Sequence, residues 1–209
     1  YLVGLSLMFP SSIDYYNEIQ EKLILAEPED TIFLPQGTLH LRRSLWGDNL
    51  KNVVIIGHGI DETIISFKNQ VEGSEGLKIT NSSHIILRDF TIQNSKGDLI
   101  KAENVSNISF INIKAEWTGR PKKSNGGYGL YPVNSNNILI DNCFAIGASD
   151  AGIYVGQSKN IIVRNSEAYH NVAGIEIENS TNADVYNNFC HNNSGGILVF
   201  DLPDLEVKS

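Results

Sequence analysis

The chain is poor in cysteine, with two in 209 residues. Two are too few for a disulfide-framed scaffold, and the CxxC pairs and His-rich spacings of zinc sites are absent. Positive charge is also scarce: 16 Lys and Arg stand against 24 Asp and Glu, a formal net charge of −8 at pH 7. A general nucleic-acid binder would show a basic excess instead, so no nucleic-acid partner is expected. The apolar run YLVGLSLMF at 1–9 ends at Pro10 and is too short to span a membrane. It reads either as the tail of a secretory signal's hydrophobic region or as a first strand. What remains, 41% hydrophobic and 19% charged residues, excludes disorder and collagen and suffices for one solid core.

One residue type is in excess. The chain holds 23 Asn, most of them after residue 80, and they recur at fixed intervals. Apolar segment starts fall at Leu77, Ile100, Leu130, Ile153, Ile175 and Ile197, with steps of 23, 30, 23, 22 and 22. Four residues after each start stand Asn81, Asn104, Asn134, Gln157, Asn179 and Asp201. Seven after stand His84, Asn107, Asn137, Asn160, Asn182 and Asp204, and twelve after stand Asp89, Asn112, Asn142, Asn165 and Asn187. Between these polar corners run short segments of alternating apolar and polar residues, such as Ile138 and Ile140 or Ile161 and Val163. Three strands per unit of about 22 residues predict an all-β, right-handed parallel β-helix, a solenoid in which each unit is one coil. The Asn side chains of successive coils should then bond to one another in ladders at the turns, where Asn also tolerates the left-handed backbone.

The segments GIYVGQSKNIIVRNSEAYHNVA (152–173) and GIEIENSTNADVYNNFCHNNSG that follows resemble repeats of the pectin-lyase-like superfamily. The lead-in IQEKLILAEPEDTIFLPQGTLHL (19–41) is similar to the start of many secreted members, where an amphipathic helix covers the open end of the solenoid. The resemblance implies a secreted, periplasmic or cell-surface protein and leaves its activity open, because lyases, hydrolases, epimerases and inert scaffolds share the fold. The segment YGLYPVN (128–134) is also similar in frame to a strand of alginate C5-epimerases. Gly129 and Pro132 are kept, but Tyr131, Val133 and Asn134 stand where that family places its Asp, His and acidic residue.

The expected organisation is a single domain over 11–209, with a capping helix over about 12–27 and repeats over about 53–209. Ser12 caps the helix, Ile13, Ile19 and Leu23 form its buried face, and Pro28 stops it. The last coil reads as incomplete, which leaves either a longer solenoid or a protein partner to cover it. Cys143 and Cys190 fall two coils apart, roughly 9–10 Å, beyond the reach of a disulfide, and are expected as free buried thiols.

Function must lie on outward side chains. In the first strand of each coil these include Lys101, Tyr131, Tyr154, Glu176 and Glu178. The long coil adds a loop within EWTGRPKKSNGGYG (116–129), whose Trp117, Arg120, Lys122, Lys123 and Tyr128 form a basic, aromatic region in an acidic chain. Together they suit a sugar chain lying along the solenoid, its faces on the rings and its hydroxyls or carboxylates on the charges. The expected partner is an acidic polysaccharide, bound by Trp117, Arg120, Lys122, Lys123, Tyr128, Glu176 and Glu178. If the chain is an enzyme of the lyase or epimerase kind, Lys101 would neutralise the uronate while Tyr131 and Tyr154 exchange protons, with His170 a further titratable group. Glu176 and Glu178, two apart on one strand, are the pair a hydrolase would use. Asp98, Asp150 and Glu178 are too scattered for a calcium site, so no metal and no cofactor is expected. The competing reading is a non-catalytic scaffold that docks another chain at its last coil.

Overall fold

The computed structural model describes residues 12–119 and 121–202. The helix α1 (Ser12–Leu25) opens it and buries Ile19 and Leu23 against the first coil, as a terminal cap must. It ends at a turn in which Asp30 bonds back to the peptide of Glu27 and Glu29 takes a left-handed backbone. The apolar run at 1–9 lies outside the described residues, as does Ile13's side chain.

The chain then winds into a right-handed parallel β-helix. The first strands of the coils stack into one seven-stranded parallel sheet: Arg43–Asp48, Glu72–Thr80, Ile100–Glu103, Leu130–Val133, Ala151–Gly156, Ala173–Glu178 and Gly195–Phe200. Its register runs Leu45, Leu77, Ile100, Leu130, Ile153, Ile175, Ile197, so all six expected starts are in line. A seventh start, Leu45, precedes them, and pairing already begins at Thr31–Phe33 with Val54–Ile56, ahead of the expected boundary near residue 53. The second and third strands of the coils form a twelve-stranded sheet that wraps the rest of the core.

Alternation fixes which side chains point inward. Ile85, Leu87, Ile108, Phe110, Ile140 and Val163 are all fully buried and stack coil on coil. The corners carry the asparagines. Asn81, Asn104 and Asn134, then Asn107, Asn137, Asn160 and Asn182, and then Asn112, Asn142, Asn165 and Asn187 all take positive φ. For other residues that conformation costs roughly 1–2 kcal/mol. Their amides bond up the stack: Asn137 donates to Asn107, Asn160 to Asn137 and Asn182 to Asn160, at 3.0, 2.9 and 2.7 Å. A second ladder of buried serines follows the first strand. The peptide N–H of Val105 donates to Ser135 Oγ and that of Ser135 to Ser158 Oγ, while each hydroxyl donates to the carbonyl two residues back. The serine ladder satisfies backbone groups at bends where sheet pairing cannot.

Candidate functional site

The seven-residue-longer coil shapes the outer surface of the first sheet. Trp117, expected to face a ligand, is instead buried at 5% exposure, and its indole N–H donates to the Ser95 carbonyl at 2.9 Å. Asn125 donates to the Gly147 carbonyl, and Gly126 and Gly127 accept from the peptides of Ser149 and Asp150. The loop is therefore stapled between its neighbouring coils at the corner that leads into the first strand. Gly126 passes so close to the Gly97 carbonyl that a Cβ there would collide with it. Lys122 and Lys123 stand exposed at the loop tip, and Arg120 lies outside the described residues.

On its return the loop delivers Tyr128 over the outward side chains of the next two coils. Tyr128, Tyr131 and Tyr154 form a ring cluster with centroids 4.7, 4.5 and 5.0 Å apart. Tyr154, outward by strand alternation, is buried beneath the other two and against Ala151 and Ala173. Lys101, one coil earlier and in register with Tyr131, lies 5.1 Å from that ring's centroid and 3.5 Å from Glu103. One coil later come Glu176, in register with Tyr154, and Glu178, each only 7% exposed. The Tyr154 hydroxyl donates to Glu178 Oε2 at 2.7 Å. Six of the ten expected site residues are thus brought together: Lys101, Tyr128, Tyr131, Tyr154, Glu176 and Glu178. His170 is placed elsewhere, at a left-handed corner with its ring against Tyr169.

Two acidic residues join the cluster. Asp98 accepts from the Tyr128 peptide N–H, and Asp150 bonds the Tyr128 side chain and lies close enough to Glu176 to repel its charge. Burial, reinforced by the charges of Asp150 and Glu178, pushes the Glu176 carboxyl up to about 7. Burial likewise raises Asp98 above the ordinary carboxylate range. The phenols of Tyr128, Tyr131 and Tyr154 are all raised above their usual value, burial again leading. At neutral pH these tyrosines donate hydrogen bonds rather than accept protons, which makes them poor general bases. No cluster of three metal-ligating side chains occurs among the described residues.

Stacked parallel coils with their site on an outer sheet surface define a right-handed parallel β-helix, and the comparisons agree. The chain belongs to the right handed beta helix region family, whose model matches residues 56–209. A pre-neck appendage protein of Bacillus phage B103 is 26% identical over 205 aligned residues, which take in 80% of this chain and 23% of that protein. The A-module of a mannuronan C-5 epimerase from Azotobacter vinelandii superposes with a TM-score of 0.63 at 18% identity, over 90% of this chain and 58% of the module. An alginate lyase from Paenibacillus sp. gives 0.59 at 14% identity, over 83% and 73%. The chain spans under a quarter of the appendage protein and just over half of the epimerase module. At these identities the structural likenesses define the fold.

Proposed function

We propose that the protein binds a polysaccharide along the outer surface of its first sheet and cleaves it with Glu176 as general acid. The observation that supports this is the tyrosine cluster set against a buried carboxyl pair, Glu176 and Glu178, in which Glu176 is pushed up to about 7. Glu176 and Glu178 lie two residues apart on one strand, roughly 6–7 Å, within the separation glycosidases use, about 5–10 Å. Glu176 holds a proton near neutral pH, Glu178 is oriented by the Tyr154 hydroxyl, and Asp150 stands beside Glu176 as a second carboxylate. That division into acid and partner is the one glycosidic cleavage requires. Tyr128 and Tyr131 supply ring surface for a sugar.

The charge of the surface revises the expected ligand. Glu75, Asp98, Glu103, Asp150, Glu176 and Glu178 outnumber Lys78 and Lys101 there, while Lys122 and Lys123 sit out on the loop tip. A neutral, hydroxyl-rich polysaccharide fits better than an acidic one, because like charges repel in a half-buried site. Such a substrate, together with the resemblance to secreted β-helices, supports a place outside the cytoplasm: secreted, periplasmic or at a cell surface.

The test is a glycan array with the intact protein, followed by release of reducing ends from whatever binds. Glu176→Gln should keep binding and lose cleavage. Binding to no glycan would sink the proposal, and unsaturated uronate absorbance accompanying the new reducing ends would replace hydrolysis by elimination. The phage appendage relative favours a second reading, a structural piece of a larger assembly. The exposed Ile197 and Val199 of the last described strand would then be covered by another chain.

A further inference from the structure

Trp46 is half exposed yet rigidly held. Its peptide N–H and carbonyl are both taken by the Gln20 side chain of α1, at 2.9 and 2.7 Å. Its indole N–H donates to Thr80 Oγ1 at 3.2 Å, and that hydroxyl donates to Asp48. The ring's orientation is therefore fixed by bonds on one edge while 51% of the residue remains open. An apolar surface of this size, immobilised beforehand, binds with little loss of side-chain freedom.

Its place in the fold connects it to the tyrosine cluster. Trp46 is in register with Lys78, Lys78 with Lys101, and Lys101 with Tyr131. At about 4.8 Å per coil, Trp46 and Tyr131 lie roughly 14 Å apart along the axis. A groove of about 980 Å³ begins at Trp46, passes Lys78, Glu103 and Asn104, and ends at Gln157 in the coil of Tyr154. Its walls are polar. Within it Asn104 donates to Asn81 and Asn81 to Asp48, bonds that use one of the two donors of each amide.

We infer that Trp46 is a stacking platform for the far end of a bound oligosaccharide, whose consecutive sugar units run from it up the solenoid along this groove, at the corner that follows the strands of Tyr131 and Tyr154. The inference rests on the proposed function and adds to it an aromatic contact at the far end of the ligand and a minimum ligand length. No residue of the carboxyl pair takes part in it.

The experiment uses oligosaccharides of graded length cut from the polysaccharide that the wild type binds on the array, titrated against wild type, Trp46→Ala and Trp46→Phe. The longest should bind Trp46→Ala about tenfold more weakly, the upper end of what an aromatic contact contributes. A disaccharide should bind all three alike, and Trp46→Phe should recover most of the loss. Iodide quenching gives an independent readout, because the chain has two Trp and Trp117 is buried. Long oligosaccharides should shield the quenchable emission and the disaccharide should not. Far-UV circular dichroism checks that both variants fold. Equal affinity of wild type and Trp46→Ala for the longest oligosaccharide, or an equal loss at every length, would overturn the inference and leave the proposed function standing. Failure of the wild type to bind any glycan would overturn both.

Discussion

Tyr154 and Glu178, in adjacent coils, are joined by a 2.7 Å hydrogen bond in which the phenol donates to the carboxylate under a roof of two further tyrosines. The bond orients the carboxyl two residues along the strand from Glu176, on a residue only 7% exposed. Tyr154→Phe keeps the ring packing and removes only the hydroxyl. It should cost about 1.5–3 kcal/mol, the range for a hydrogen bond to a charged group. Denaturant unfolding of the two single variants and the double variant with Glu178→Gln measures the coupling. A coupling near zero would mean that the pair is positioned by packing alone.

Glu176 gives stability a pH dependence whose sign can be worked out. Its folded value of about 7 lies above the ordinary 4.5, so the native state holds this proton more tightly than the unfolded chain does. Below about pH 4.5 the group is protonated in both states and has no effect. Between 4.5 and 7 the unfolded chain releases the proton first, and native stability falls until both forms are ionised. The total is at most about 3 kcal/mol. Glu176→Gln, neutral at every pH, should therefore gain stability relative to wild type as pH rises from 4 to 8, read from urea midpoints. In the enzymatic reading the same titration predicts that cleavage declines as pH rises through about 7, where the acid loses its proton.

The Asn ladders make a prediction that separates backbone from side chain. Asn137 takes φ 54 and bonds both Asn107 and Asn160. Asn137→Gly relieves no strain but loses both bonds, about 1–2 kcal/mol for two partly solvated contacts. Asn137→Ala loses the bonds and must also hold a left-handed Cβ, about 1 kcal/mol more. The difference between the two variants in thermal unfolding isolates the conformational cost. Equal destabilisation would show that the corner relaxes.

Much of the coil geometry is legible in the order of residues because stacking repeats it. Leu77, Ile100 and Leu130 must each meet the same inward position, and Asn81, Asn104 and Asn134 the same corner, so the period survives in the text of the chain. The first coil escapes that reading because Leu45 precedes Leu77 by 32 residues, a spacing stretched by longer turns before and after the strand Thr63–Ser66, which itself pairs in the ordinary third-strand register. The candidate site is only half legible. Alternation places Tyr131, Tyr154, Glu176 and Glu178 outward, but whether an outward residue is exposed depends on what folds over it. The inserted loop buries Trp117 in the core and lays Tyr128 on Tyr154, and no periodicity describes an insertion that occurs once. Asp150 reaches Glu176 across a corner, from a position outside the strand frame altogether.

The two cysteines offer a chemical probe of the same packing. Both are free, as the two-coil spacing predicts, but they are not equally buried: Cys143 lies in the core, whereas Cys190 is only partly buried near the last described coil. The Cys143 thiol lies 3.4 Å from each of the carbonyls of Phe110 and Asp141, and burial pushes it up to about 12. Burial raises Cys190 as well. Thiolate is the reactive form, so both should react more slowly than a free thiol at pH 8, and Cys143 only when its coil opens. With a disulfide reagent such as Ellman's, the native protein should release one equivalent slowly, from Cys190, and the denatured protein two. Mass mapping of the labelled peptides assigns each step. Native labelling of Cys143 at the Cys190 rate would mean that the central coils open as readily as the last one, contrary to the burial and ladder bonding that surround it.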